Sequence, residues 1–220
     1  MADNLLVNGD FMGDQVVWQG KSTVRLPEGW PLFAYNPEGH MPECYVMDMG
    51  APQNIGRIWK VFTSYARHEY ALGQRVRVPV GAMLRFGAQV WAWSSTKDDP
   101  MRSEDGGSYH HRIGIDPVGG TDWRSPDIIW DYPRLRCKEM DSPFFHTLGA
   151  TAEAGVVTVW LHGEHEWALK HGDAYWFTAT LEMLGAPGPG PDPQVEARLA
   201  ALEANQRAII AYLSSWKGIA

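Results

Sequence analysis

Up to residue 184 the chain alternates between apolar and polar side chains, which is the period-two pattern of half-buried β-strands. Residues 84–93 show the pattern most clearly, and their predicted core face consists of Leu84, Phe86, Ala88, Val90 and Ala92. Three further stretches alternate in the same way, with predicted inward sets Ile113 and Ile115; Val157, Val159 and Leu161; and Tyr175, Phe177, Ala179 and Leu181. Clusters of glycine, proline and aspartate separate these stretches. The pattern predicts an all-β fold, an antiparallel β-sandwich, over residues 1–184.

The composition changes at residues 185–193, where four prolines and three glycines predict an extended linker. Residues 194–217 are predicted to form an α-helix, because their apolar side chains follow the heptad spacing of a coiled coil. The seam consists of Val195, Leu199, Leu202, Gln206, Ile209, Leu213 and Trp216. We expect this helix to make the protein a homo-oligomer, with two, three or four subunits all compatible with the seam and a trimer among them. Docking of the helix on its own domain is the alternative.

The charge and the cysteines exclude some classes of function. A net charge of −7 argues against nucleic acid as a partner, because such binding relies on clustered lysine and arginine. No apolar stretch has the ~20 residues that cross a membrane, and no signal peptide is visible at the start, so we expect neither a membrane partner nor export by that route. The expected location is the cytoplasm as made, with a virus particle or a cell-surface assembly as open destinations. Cys44 and Cys137 lack zinc-site spacing and leave a disulfide open.

Several segments resemble one family of β-sandwich domains. They are NLLVNGDF at 4–11, PEGW at 27–30, VRVPVGAMLRF at 76–86, residues 113–130 and residues 176–182. The chain resembles carbohydrate-binding-module-like, galactose-binding-like jelly rolls of uncharacterised bacterial or phage proteins over most of residues 4–184. The resemblance implies a jelly-roll sandwich. Such modules often hold a structural calcium, but the matching positions here are Met12 and Thr178, with Asp10 as a lone carboxylate, so no metal and no cofactor are expected.

The outward positions of the predicted strands collect tryptophan and polar side chains. If the strands are neighbours, one face carries the candidate ligand-binding residues Gln89, Trp91, Trp93, Arg112, Asp116, Trp160 and Trp176. Indole rings stack on the apolar face of a sugar ring, and the polar side chains can hydrogen-bond its hydroxyl groups. Trp91 and Trp160 are the predicted stacking surfaces. The alternative is that these tryptophans pack beneath a loop, a second layer or an oligomer interface.

Other motifs favour ordinary structural roles. Residues 116–122 carry acidic side chains and glycines, but their spacing does not match an EF-hand and favours a plain turn. The histidines at 110–111 and 162–171 are predicted to be solvated, because they match no zinc-protease motif and Gly172 suggests an exposed hairpin loop. No nucleophile elbow, phosphate loop or dinucleotide motif occurs, so no enzyme is predicted and no residue is assigned a catalytic role.

Two functional hypotheses follow. In the first, the protein is a non-catalytic carbohydrate-binding module whose coiled coil multiplies weak affinity for a glycan or polysaccharide. In the second, it is a virion structural protein, such as a phage capsid-decoration or tail component, that contacts other virion proteins through the sandwich. The tryptophan-rich face and the family resemblance favour the first hypothesis, whereas the missing signal peptide and the lost calcium ligands favour the second.

Overall fold

The computed structural model describes residues 3–49, 56–97, 109–131, 135–136 and 144–185. All regular secondary structure in these residues is β, which confirms the predicted all-β class. The strands are β1 (Gln15–Trp18), β2 (Lys21–Pro27), β3 (Leu32–Tyr35), β4 (Glu43–Met49), β5 (Gly56–Thr63), β6 (His68–Arg77), β7 (Met83–Ser95), β8 (Tyr109–Asp116), β9 (Ile129–Trp130), β10 (Leu135–Arg136), β11 (Phe144–Thr151), β12 (Val156–His165) and β13 (His171–Gly185).

The strands form two sheets. The seven-stranded sheet has the order β1-β2-β4-β5-β13-β7-β11, and the six-stranded sheet has the order β10-β8-β12-β6-β3 with β9 also pairing with β8. The pairs are antiparallel, except that β2 and β4 run parallel and meet at Val24 and Cys44. The sandwich is therefore antiparallel as predicted, except for the parallel pairing of β2 with β4 in the seven-stranded sheet.

The core consists of the inward side chains of both sheets. Its members confirm which side chains of three strands were predicted to point inward. Leu84, Phe86, Ala88, Val90 and Ala92 of β7 belong to it, as do Ile113 and Ile115 of β8 and Val157, Val159 and Leu161 of β12. At its centre Trp59 and Tyr70 meet edge to face with ring centroids 5.6 Å apart. Cys44 lies in the same core, where burial raises the pKa of its thiol to about 12.

The predicted facing of β13 is wrong in its first half, because a β-bulge interrupts the strand. The bulge lies between Trp176 and Thr178, so Phe177 is an extra residue in the pairing with β7. Before the bulge Trp176 points into the core, where its indole N–H donates to the Tyr70 hydroxyl at 2.8 Å. Beyond the bulge Ala179 and Leu181 point inward as predicted. One extra residue reverses the alternation, which moves Trp176 from the predicted outer face to the core.

The N-terminal segment completes the pairing of β13. Strand β5 pairs with β13 only from Gly172 to Trp176. Further along β13, the backbone N–H of Leu5 donates to the carbonyl of Leu181 at 2.8 Å, and that of Ala179 donates to the carbonyl of Gly9 at 2.7 Å. The Asn4 side chain adds two bonds, to the carbonyl of Ala179 and from the N–H of Leu181. The N-terminal segment thus takes the place of β5 beside the second half of β13.

Several predictions fall on residues that the structure does not describe. The predicted linker lies outside the described residues except for Gly185, which ends β13. The helix predicted for 194–217 and its role in oligomerisation also lie outside them and stay predictions. Cys137 lies outside them too, so a disulfide between Cys44 and Cys137 is left open, as in the sequence. The chain divides into two units, Met1–Ala186 and Pro187–Ala220. Within the described ranges no helix is long and apolar enough to cross a membrane.

Candidate functional site

The seven predicted site residues do not share one face. Gln89, Trp91 and Trp93 lie on β7, on the outer face of the seven-stranded sheet. Arg112 and Asp116 on β8 and Trp160 on β12 belong to the six-stranded sheet, and Trp176 lies in the core. Alternation of side chains predicted the facing of most strands but not their order, and the core separates β7 from β8 and β12. A single site made of all seven residues is therefore wrong.

The outer face of the six-stranded sheet is covered by residues 117–131. Trp123 and Ile128 of this segment pack against Trp160 and Ala71, and Trp160 is only 1% exposed. Gly73 makes room for the indole ring, since a methyl group added there would lie 2.7 Å from two of its atoms. Trp160 therefore cannot stack on a ligand in this structure. For this residue the alternative interpretation is correct, because the tryptophan packs beneath a loop.

The polar residues of this face have structural partners as well. Asp116 is fully buried and accepts a hydrogen bond from the N–H of Val118 at 3.0 Å, so the start of segment 116–122 is a turn, as the sequence favours. The Arg112 guanidinium lies 3.9 Å from the centroid of the Trp130 ring, a cation–π contact. Both side chains thus serve to fasten the covering segment to the sheet.

The prediction of solvated histidines is wrong for four of them. His110 and His111 lie on β8 and His162 and His165 on β12, and all are less than 9% exposed. His162 contacts a Glu69 carboxylate oxygen at 3.0 Å. The hairpin loop is shorter than expected, because β12 continues to His165 and β13 starts at His171. Strand pairing buries these four imidazole rings, and each ring contacts neighbouring protein groups.

The outer face of the seven-stranded sheet carries a second apolar cluster, which we call the aromatic cluster. It consists of Ile58, Trp91, Trp93, Tyr175 and Phe177, with Met47 against it. Trp93 stacks on Tyr175 with ring centroids 4.5 Å apart, and Trp91 meets Phe177 edge to face at 4.6 Å. Trp91 and Trp93 are 6% and 3% exposed, so these rings pack on each other rather than present open stacking surfaces.

An ion pair borders the aromatic cluster. The Lys60 ammonium lies 2.9 Å from the Asp173 carboxylate, with side-chain exposures of 17% and 5%. Burial alone would lower the pKa of Lys60, but the Asp173 carboxylate and the Tyr175 hydroxyl outweigh burial and raise this pKa. The ammonium also lies 4.4 Å from the Phe62 ring centroid. This lysine is therefore held charged at the edge of the cluster.

Beyond the aromatic cluster the same sheet face becomes polar and open, and we call this region the sheet-face patch. Its residues are Phe145 and Thr147 on β11, Gln89 on β7, and Thr178 and Thr180 on β13. Gln89 pairs with Phe145 on one side and Thr178 on the other, so their three side chains form one row across the face. In the next row Gly87 separates Thr147 from Thr180.

Two features make the sheet-face patch a candidate site. The Phe145 ring is 69% exposed, which is a large apolar surface for a residue in a β-strand. No side chain projects from Gly87, and the Thr180 hydroxyl lies over this position, 3.3 Å from where a methyl group on Gly87 would stand. The backbones of Thr147 and Thr180 are two strand spacings apart, about 10 Å. An aromatic ring beside hydroxyl and amide groups can hold a ligand that is apolar on one face and hydrogen-bonding at its rim.

Sequence reasoning found Gln89 but missed the other members of the patch. Phe145 and Thr147 alternate with His146 and Leu148 over residues 144–151, which is the signal of a half-buried strand. Thr178 and Thr180 were placed correctly outward, but nothing in the sequence shows that β11 and β13 both pair with β7. The site is defined by this pairing of distant strands.

The structure also places the residues considered for a metal. Asp10 is exposed and accepts a hydrogen bond from the N–H of Met12 at 3.1 Å, whereas Thr178 lies in the sheet-face patch. In the part of the chain that the structure describes, no group of three or more histidine, cysteine, aspartate or glutamate side chains is placed to hold a metal ion.

The chain is similar in structure to several carbohydrate-binding modules. TmCBM61, solved in complex with beta-1,4-galactotriose, has a TM-score of 0.47 and 10% identity, and the match covers 83% of this chain and 99% of that chain. The CBM22-1 xylan-binding domain of Xyn10C from Paenibacillus barcinonensis has a TM-score of 0.39 and 8% identity, covering 70% of this chain and 86% of that chain.

A phage protein is also similar. The enzymatically active domain of tailspike protein 4 from bacteriophage CBA120 has a TM-score of 0.49 and 10% identity, and the match covers 82% of this chain but 21% of that longer chain. No protein-family model and no curated protein matches the chain.

Proposed function

We propose that the protein is a non-catalytic carbohydrate-binding module of jelly-roll type that binds a polysaccharide on the sheet-face patch. The observation that carries the proposal is the exposed Phe145 ring, which lies in one row with Gln89 and Thr178. A pyranose has apolar C–H faces and a rim of hydroxyl groups, so it suits an aromatic ring flanked by amide and hydroxyl side chains.

The patch gives each side chain a separate role. Phe145 supplies the stacking surface, and Gln89 supplies an amide that both donates and accepts. The threonine hydroxyl groups at 147, 178 and 180 provide further donors and acceptors across the face. Arg85 lies one row further, where its Nε donates to a carboxylate oxygen of Glu182 at 3.0 Å and limits the patch at that end. The aromatic cluster on the other side gives the patch a rigid neighbour.

The experiment is retention of the intact protein on insoluble polysaccharides, with Phe145→Ala beside it. A lost aromatic contact worth about 1.4 kcal/mol weakens binding about tenfold. Val118→Ala is the matched control, because Val118 is an exposed apolar residue, 43% accessible, on a loop of the other sheet. Because Phe145 is largely exposed, we expect its replacement to leave the melting temperature nearly unchanged.

Two results would contradict the proposal. Equal retention of Phe145→Ala and the wild type would remove the patch as the site, and no retention of the wild type on any polysaccharide would remove the function. Trp91→Ala is a poorer probe, since a residue that is 6% exposed also supports the fold. Avidity through the helix predicted for 194–217 is part of the proposal and is tested by comparing the intact chain with a form that ends at Gly185.

A further inference from the structure

The turn between β5 and β6 holds a tyrosine in an unfavourable position. Tyr65 has a φ of 54°, in the left-handed region that side chains rarely adopt. Its side chain is nevertheless 67% exposed, so little burial compensates for the backbone strain. An exposed aromatic ring on a strained backbone contributes little to the stability of the fold. Such strain persists where the surroundings impose it, and it often marks a binding site.

The turn is fixed from below by two buried side chains. The carbonyl of Ala66 accepts a hydrogen bond from the Thr63 hydroxyl at 2.6 Å and another from Nδ1 of His165 at 3.0 Å. Thr63 is 7% exposed and His165 is fully buried. The other ring nitrogen of His165 contacts the Ser94 hydroxyl at 2.9 Å, which sets the orientation of the imidazole.

Backbone bonds fix the turn on both sides. The N–H of Tyr65 donates to the carbonyl of Leu169 in the β12–β13 turn, and the N–H of His40 donates to the carbonyl of Arg67, both at 2.8 Å. Gly39 packs directly on this backbone, because a methyl group added there would lie 3.1 Å from the Arg67 carbonyl oxygen. Three turns are thus locked together at one end of the sandwich, and the backbone that carries Tyr65 is held in a preorganised position.

A polar cavity opens beside the Tyr65 ring. Its volume is about 280 Å³, and its charged or titratable lining residues are Glu38, His40 and Arg67. This volume lies just below the range of about 300–1,000 Å³ that is usual for ligand pockets, which suits one sugar ring rather than a longer segment of glycan. The cavity combines a flat ring, a carboxylate acceptor and guanidinium donors, which are groups that can stack on a sugar ring and hydrogen-bond its hydroxyl groups.

We propose that this end pocket is a second binding site, for a single pyranose ring at the end or branch of a glycan. Tyr65 stacks on the apolar face of the ring, Glu38 accepts from its hydroxyl groups, and Arg67 donates to them. The pocket is separate from the sheet-face patch, because Ser95, at this end of β7, lies six residues or about 20 Å along the strand from Gln89. The ligand class rests on the proposed carbohydrate function, whereas the position rests on the turn itself.

The test is saturation-transfer NMR on the intact protein with glucose, galactose, mannose and xylose as probes. Tyr65→Gly removes the ring and suits the left-handed backbone, so we expect its melting temperature to equal or exceed that of the wild type. The proposal predicts that the saturation transfer to at least one sugar falls at least about tenfold in Tyr65→Gly. It also predicts that Tyr65→Phe and Phe145→Ala keep the transfer, because each retains an aromatic ring at position 65.

The outcomes separate this proposal from the carbohydrate function of the sheet-face patch. Unchanged transfer in Tyr65→Gly overturns the end pocket, as does loss of transfer in Phe145→Ala alone. No transfer in the wild type also overturns it, and the proposed function then still stands if polysaccharide retention depends on Phe145. Transfer that depends on Tyr65 without any polysaccharide retention supports the end pocket and contradicts the sheet-face patch.

Discussion

The packing of Trp160 beneath residues 117–131 leads to a sharp prediction for Gly73, the residue that faces it on β6. A methyl group added at Gly73 would lie 2.7 Å from Cε3 and Cζ3 of Trp160 and 3.1 Å from its Cδ2. These distances are well inside van der Waals contact, and the ring has no room to retreat because it is 1% exposed. Gly73→Ala must therefore displace the indole ring or the segment above it.

The size and sign of the effect follow from this contact. Overpacking a filled core costs about 1–3 kcal/mol, and Gly73→Ala should lower the free energy of unfolding by that amount. Trp160→Ala alone should cost about 3–5 kcal/mol. In the Trp160→Ala background the clash is gone, so Gly73→Ala should become neutral or stabilise by about 0.4–1 kcal/mol through the unfolded chain. The sign of the Gly73 effect thus reverses between the two backgrounds.

Urea denaturation followed by circular dichroism measures all four members of this double-mutant cycle. Gly155→Ala is the control, because nothing lies within 4 Å of a methyl group added there. It should have the same small effect in both backgrounds. If Gly73→Ala costs the same with and without Trp160, the ring does not occupy the space above Gly73, and the claim that Trp160 is a packing residue fails.

Two further predictions concern buried titratable groups. Lys60→Met leaves the Asp173 carboxylate, 5% exposed, without its cation, and we expect a loss of about 3 kcal/mol in urea denaturation. A midpoint equal to that of the wild type would contradict this. Burial lowers the pKa values of His68 and His111, and neighbouring histidines lower them further, so both rings are neutral in the folded protein. In the unfolded chain both rings bind protons near pH 6.5, whereas in the folded protein they do so only at lower pH. The free energy of unfolding is therefore undiminished above pH 6.5 and decreases as the pH falls toward the folded-state pKa values. The urea midpoint should thus drop between pH 7.5 and pH 5, and a constant midpoint would count against buried neutral histidines.

Alternation of side chains was enough to predict the facing of β7, β8 and β12, because each keeps one regular period from end to end. It failed at Trp176, since a bulge adds one residue and period-two reasoning cannot see where pairing slips. The histidines of β8 and β12 were misjudged for a related reason. Their burial depends on partners such as Glu69 and Ser94, which are distant in sequence.

The candidate site was harder to predict than the fold, because it depends on which strands are neighbours. Gln89 was recognised from its own strand, but Phe145 reaches it only through the pairing of β11 with β7. Trp160 and Trp91 look alike in sequence, both facing outward on regular strands. One is covered by residues 117–131 and the other packs in the aromatic cluster, and a local pattern cannot distinguish these surroundings from an open surface.

The bonds between the N-terminal segment and β13 have a consequence for the solubility of the chain. Without Asn4, Leu5 and Gly9, the second half of β13 would carry unpaired N–H and C=O groups along the side that β5 leaves open. Exposed strand edges of this kind recruit strands from other molecules and promote aggregation. Residues 4–9 therefore cover the open side of β13 and protect it from pairing with other molecules. We expect a variant that shortens or displaces them to aggregate even where its binding surfaces are unchanged.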